Sequence, residues 1–201
     1  MTTVQISKDV TASQEDIEGI SKAITDYMLP WYGAGFGGLA KAIHPSIHKR
    51  VFRNDPHTGR PFMSEVNYYQ LMEIARNTDE GGIKTPEAEW QNDITIYHAT
   101  ERIASARSEG TRWVDYLHLA KLEGRWQIMH ILFDNHKEGA YPDSPEPITK
   151  AVEDYMMPWY TMEWERLASA LHPAVIKRGF NKNSTSGRMV ILNSPYSKLV
   201  E

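Results

Sequence analysis

The chain has 201 residues, of which 41% are hydrophobic and 24% charged, enough apolar material for one packed domain plus part of another. It contains no cysteine, which removes disulfides, thiolate metal sites and a cysteine nucleophile by inventory. A net charge of -4 with scattered Lys and Arg gives no basic stripe for nucleic acid. No signal-peptide run or membrane-length apolar stretch occurs, so the cytoplasm is the expected location.

The segment "SQEDIEGISKAITDYMLPWY" predicts the first element. Ser13 is a suitable N-cap, acidic residues follow it, and Ile17, Ile20, Ile24, Tyr27, Met28 and Trp31 recur at helical spacing. Pro30 has no backbone N–H and should bend or end this helix. The "GAGFGG" stretch then leads to a short second helix around Leu39 to Ile43, closed by His44-Pro45. A third helix is expected from about Ser64, as a cap, through Tyr68, Leu71, Met72 and Ala75 to Arg76. The periodicity then changes from helical to alternating. "EWQNDITIYHAT", "RIASARSEG", "RWVDYLHLAKL" and "RWQIMHILFD" are four strand candidates joined by short turns, which implies an antiparallel meander. Three N-terminal helices on a curved antiparallel sheet make an α+β arrangement with a cone-shaped cavity between the layers.

The chain also repeats itself. "DYMLPWY" at Asp26 to Tyr32 returns as "DYMMPWY" at Asp154 to Tyr160, and the match extends through "HPSIHKRVF" against "HPAVIKRGF". Nothing after the second copy corresponds to the four strands. The expected organisation is therefore a domain at 13–137, a linker at 138–147 and an incomplete second copy at 148–201, helical and without a sheet. The apolar stripe of its helix, with Ile148, Val152, Tyr155, Met156 and Trp159, is costly to leave in water and is expected to be covered by the first domain, by a partner chain, or by a second sheet of a longer tandem protein.

The strand "WVDYLHLAKL" with its Gly-Trp hairpin, the preceding "HPSIHKR" and the helix ending in Trp-Tyr resemble the putative lumazine-binding branch of the nuclear transport factor 2-like, or polyketide cyclase-like, superfamily. The resemblance covers roughly residues 15 to 135, with the truncated copy at 148 to 201. It implies the fold, commonly a homodimer, and a pocket for a small molecule. Members include isomerases, dehydratases, cyclases and noncatalytic binding modules, so the resemblance does not fix chemistry.

Strand phase points to a site. With Glu123-Gly124 as a two-residue turn, Leu122 faces Arg125, Leu117 faces His130 and Asp115 faces Leu132. Alternation then gives Trp113, Asp115, Leu117, Leu119, Trp126, Ile128, His130 and Leu132 one face, and Tyr116, His118, Met129 and Phe133 the other, more like a subunit contact. Asp115 beside His130 on an apolar wall offers a general base, with Tyr27, Tyr68 or Trp90 as hydrogen-bond donor to a developing oxyanion. The alternative is a satisfied polar pair within the core. Tyr27, Trp31, Tyr68, Trp90 and Trp113 are the expected ligand-lining aromatics, although aromatics at helical spacing also build cores. His44 and His48 have the spacing of two metal ligands on a helix, but Ile176 replaces the second in the repeat, and no metal is expected. Lys49-Arg50 recurs as Lys177-Arg178 and fits either an anion site or a charged strand edge. There is no Gly-rich phosphate loop, and no cofactor is expected. Two readings remain: a cofactor-independent acid–base lyase, isomerase or cyclase acting on a small carbonyl-containing or aromatic compound, and a noncatalytic ligand-binding or dimerisation module.

Overall fold

Ser13 accepts a hydrogen bond from the Asp16 amide at 3.2 Å and so caps the first helix, α1 (Gln14–Met28). The helix stops where Pro30 enters a 3-10 turn, Leu29–Tyr32, that ends on left-handed Gly33. A computed structural model describes residues 2–8, 10–80, 85–135 and 145–200, and the chain divides into two compact units, Met1–Lys137 and Glu138–Glu201. The linker expected at 138–147 lies outside the described residues up to 144.

In the first unit, β1 (Thr2–Ile6) precedes α1, and α2 (Leu39–Ala42), β2 (Ile43–Asn54), β3 (Pro61–Val66) and α3 (Tyr68–Glu80) follow it. Then come β4 (Asn92–Ala99), β5 (Ile103–Glu109), β6 (Trp113–Leu122) and β7 (Arg125–Asn135). The expected α+β layering is present, with a curved sheet carrying the helices. The sheet has seven strands in the order β1-β4-β5-β6-β7-β2-β3. The meander β4 to β7 is antiparallel as expected, but β1 joins β4 and β2 joins β7 in parallel.

Two local expectations are corrected. The short helix ends at Ala42, so that Ile43 and His44-Pro45 already belong to the long strand β2, and Ser64 lies within β3 rather than capping a helix. The cap of α3 is Asn67, whose side chain accepts from the Gln70 amide at 3.0 Å while Gln70 accepts from the Asn67 amide at 2.9 Å. This reciprocal pair satisfies two helix-end donors, which Ser64 could not reach.

Register shifts interrupt the pairing in three places: between Ile43 and His48, between Ile96 and His98, and between His118 and Leu119. An extra residue on one strand bends it and increases local twist, and this supplies the curvature of the sheet. Into the concave side pack Ile20, Ile24, Tyr27 and Met28 of α1, against Leu117, Leu119, Ile128 and Ile131 of the sheet. Each such fully buried aliphatic contributes about 1.5–3 kcal/mol.

The second unit contains α4 (Glu146–Met156), α5 (Pro158–Thr161), α6 (Trp164–Ala170), β8 (Ile176–Lys182), β9 (Met189–Pro195) and α7 (Ser197–Val200). Its β8–β9 pair is a two-stranded antiparallel sheet where only helices were expected. On α4, Ile148 is 64% and Val152 55% exposed. Lys177 Nζ lies 4.8 Å from the ring centroid of Trp159 and 5.9 Å from that of Tyr155. No helix among the described residues is long and apolar enough to cross a membrane.

Candidate functional site

The β6–β7 turn forms as the sequence implies, with Glu123 and Gly124 at φ 49° and 77° and Leu122 opposite Arg125. Positive φ at both central residues suits the right-handed twist of the flanking strands. From there the register departs from the expected one. Leu119 pairs with Ile128 but His118 pairs with His130, so β7 advances two residues while β6 advances one. The extra residue is Met129, and it turns the rest of β7 over. Leu117 therefore faces Ile131, and Asp115 faces Phe133, in place of His130 and Leu132.

The consequence for the expected Asp115–His130 pair is direct, because side chains alternate and a shift of one residue exchanges faces. Asp115 points into the concave side and is fully buried. His130 shares the opposite face with its cross-strand neighbours His48 and His118, at ring centroid distances of 6.2 and 6.3 Å. The two residues are not brought together. His44 and His48 both lie on β2, so helical ligand spacing does not apply to them, and His44 Nδ1 accepts the Ser46 amide at 3.0 Å.

Asp115 instead meets Lys49, which the sequence suggests as an anion-site or strand-edge charge. Lys49 Nζ donates to Asp115 Oδ1 at 3.2 Å and to the Tyr27 hydroxyl at 2.6 Å, and that hydroxyl donates to Asp115 Oδ2 at 3.3 Å. The three groups form a closed buried triangle drawn from α1, β2 and β6. Lys49 is held there by strand phase: Ile47, Lys49 and Val51 alternate inward along β2, all buried. Aromatic faces surround its ammonium, with Phe133 at 4.3 Å, Tyr27 at 5.4 Å and Trp31 at 5.6 Å from ring centroids.

Burial dominates the electrostatics. It pushes the Asp115 carboxyl above its ordinary range, and the Lys49 charge offsets only part of this. It also pulls the Lys49 ammonium down, with Asp115 opposing. Burial and the neighbouring carboxylate together drive the Tyr27 phenol well above its usual value. Burial thus favours the neutral form of each group, in opposition to the charge pairing at 3.2 Å.

A cavity of about 250 Å³ opens against this cluster. Trp31, Lys49, Val51, Leu71, Trp113 and Phe133 supply most of its wall, with Arg53 exposed at its margin. Asp115 does not line it, so Lys49 is the buried ionisable group that a guest would meet. The indole N–H of Trp31 is buried without a well-formed hydrogen bond among the described residues, retaining only a weak contact with the Tyr27 oxygen. A larger depression of about 510 Å³ is bordered by Lys22, Asp26, Lys41 and Trp126, and its Lys22 and Asp26 pair at 2.8 Å.

Of the aromatics expected to line a ligand site, Trp31 and Trp113 border this cavity. Tyr27 is wholly buried behind Lys49. Tyr68 opens α3 and packs edge-on to Tyr69, and Trp90 stacks on Tyr32 while its indole donates to the Thr85 carbonyl at 2.8 Å; neither borders this cavity.

The sequence of this unit matches the family described as putative lumazine-binding over residues 15–134. The chain belongs to the putative lumazine-binding family. Among solved structures, it is similar to an NTF2-like protein of unknown function from Methylobacillus flagellatus, with 22% identity, 65% of this chain and 100% of that chain covered, and a TM-score of 0.49. A second, from Shewanella baltica and also described as NTF2-like and of unknown function, shows 17% identity, 64% and 99% coverage and a TM-score of 0.47. Comparison with curated proteins finds no match. Tyr27, Lys49, Asp115 and the Trp31 and Trp113 walls all fall within the part matched by the putative lumazine-binding family.

Proposed function

We propose that this member of the putative lumazine-binding family binds a compact, flat aromatic molecule bearing a carbonyl or carboxylate oxygen. The observation that carries the reading is a cationic side chain, Lys49, set in the wall of an otherwise apolar cavity lined by Trp31, Trp113 and Phe133. Ligand sites combine mostly apolar walls with a few convergent polar groups. At about 250 Å³ the volume falls just below the ~300–1,000 Å³ usual for drug-sized ligands, which favours a one- or two-ring guest. Lumazine, the ring in the family's description, has this chemistry: a flat heteroaromatic with carbonyl oxygens. Titration with lumazine and with benzoate, followed by the fluorescence of Trp31 and Trp113, tests the reading. Saturable quenching that weakens in Lys49→Met is expected. Absence of saturable quenching with both compounds would remove it.

One observation favours a second reading, an acid–base lyase, isomerase or cyclase. Asp115 is a fully buried carboxyl with a raised pKa, linked to the cavity through Lys49, and such groups are suited to proton transfer near neutral pH. In that case Asp115→Asn abolishes turnover of any aromatic carbonyl substrate while leaving binding of benzoate in place; unchanged turnover rejects Asp115 as the base. We also infer a homodimer through the outer sheet face, where Tyr116 and Leu132 are 45% and 44% exposed on paired strands beside the histidine row. Sedimentation of Leu132→Asp as a monomer, against a dimeric parent, is the expected result.

A further inference from the structure

We propose that Lys49 is a covalent site: its amine forms a Schiff base with a compact aromatic aldehyde or ketone held in the cavity. The inference rests on the aromatic-ligand reading above and deepens it, since it names the electrophilic carbonyl carbon as the feature recognised.

The argument is geometric first. Lys49 is buried to 8% exposure, yet its side chain contributes to the cavity wall, which places the residue between the buried Asp115 and a guest. Trp31 and Phe133, whose rings lie 5.6 and 4.3 Å from that nitrogen, also line the cavity and would sandwich a flat ring beside it. A lysine desolvated in an apolar pocket is the residue type that supplies a neutral amine at moderate pH. The acid that the reaction needs is already in contact, because Asp115 Oδ1 lies 3.2 Å from the nitrogen.

The steps balance within the protein and the guest. Proton transfer from the ammonium to the Asp115 carboxylate leaves a neutral amine and a carboxylic acid. The amine lone pair forms a C–N bond to the carbonyl carbon, the C=O pair moves to oxygen, and the proton lost from nitrogen completes the hydroxyl of a carbinolamine. The Asp115 proton then goes to that hydroxyl, which leaves as water while the nitrogen lone pair forms C=N. The product is a protonated imine with the Asp115 carboxylate as counter-ion, so the buried charge pair is regenerated. The Tyr27 hydroxyl, 2.6 Å from the nitrogen and 3.3 Å from the carboxylate, holds both groups in line. No oxidant, reductant or cofactor is consumed.

The test uses the full chain and benzaldehyde as the probe, with sodium cyanoborohydride to deliver hydride to the imine carbon and fix the adduct as a benzylamine. Intact mass and peptide mapping are the readouts. One benzyl group on the Lys49 peptide is expected, gained faster than at exposed lysines, because burial lowers the Lys49 pKa and so raises its neutral-amine fraction. Benzoate, which fills the cavity but cannot form an imine, should suppress labelling at Lys49 and leave the exposed lysines unchanged. Lys49→Arg should lose the fast adduct, and the benzoate comparison gives the answer on the unaltered chain should that variant fail to fold. Labelling spread over exposed lysines with none at Lys49, while benzoate still quenches tryptophan fluorescence, overturns the covalent site and leaves the binding reading intact. Loss of both labelling and quenching overturns both.

Discussion

Replacing Lys49 by methionine removes one charge from a buried pair while keeping most of the side-chain volume. At 3.2 Å and an effective dielectric near 20, the attraction between Lys49 and Asp115 is about 5 kcal/mol. That attraction offsets only part of the cost of burying the two ions, since burial still raises Asp115 and lowers Lys49. In Lys49→Met the carboxyl keeps its burial and loses its counter-charge, and Tyr27 alone of the triangle remains to donate to it. The expected loss at neutral pH is about 3–5 kcal/mol. The loss should depend on pH with a definite sign. Asp115 has a folded pKa above its unfolded one, and removal of Lys49 raises it further. The folded variant thus holds a proton that the unfolded chain releases. Stability is fully present below the unfolded pKa and declines as pH rises through the folded one, by up to about 1.4 kcal/mol per unit. Urea unfolding at about pH 5 and about pH 8 should show a smaller deficit relative to the parent at the lower pH. Lys49→Met/Asp115→Asn, which removes the stranded charge and keeps an acceptor for Tyr27, should recover most of the loss. An equal deficit at both pH values with no recovery in the double variant would refute the reasoning.

Three further outcomes are expected. Asp16, in the first turn of α1, accepts from Lys121 at 2.6 Å and from the Trp126 indole at 3.0 Å, and these bonds with Ser13 lower its pKa to about 2. Its stabilisation is therefore present above the ordinary carboxyl pKa and is lost as pH falls toward about 2; Asp16→Asn should cost about 1–2 kcal/mol at neutral pH and little in strong acid, read from unfolding midpoints. A Cβ on Gly19 would stand 2.7 Å from Trp126 Cδ1, so Gly19→Ala should destabilise by about 1–3 kcal/mol despite better helix propensity, measured by thermal melting. Gly124→Ala, at φ 77°, should cost about 1–2 kcal/mol by urea unfolding without altering the tryptophan environment of the cavity.

The features legible in the sequence were those written in local chemistry: the Ser13 cap, the stop at Pro30, the four alternating strands and the Glu123-Gly124 turn. Asp115 was placed correctly on the concave side because its phase depends only on β6 and the turn. His130 was misplaced because an extra residue intervenes at Met129, and "WQIMHILF" is too evenly apolar for its phase to reveal a bulge. Lys49 was missed for a different reason: lysines are seldom buried, and "HPSIHKR" reads as a charged edge once Pro45 is taken as a terminator. The available signal was its recurrence as Lys177 together with Tyr155 and Trp159, the counterparts of Tyr27 and Trp31 in the aligned segments. Lys177 also lies over those two rings.

Lysine side-chain NMR tests most directly whether Lys49 is the buried, ligand-facing amine of this domain. With lysine Cε and Nζ labelled, one resonance should titrate below all the others, disappear in Lys49→Met and shift on addition of benzoate. A set of lysines that all titrate together in the ordinary range, with none responding to benzoate, would contradict the account.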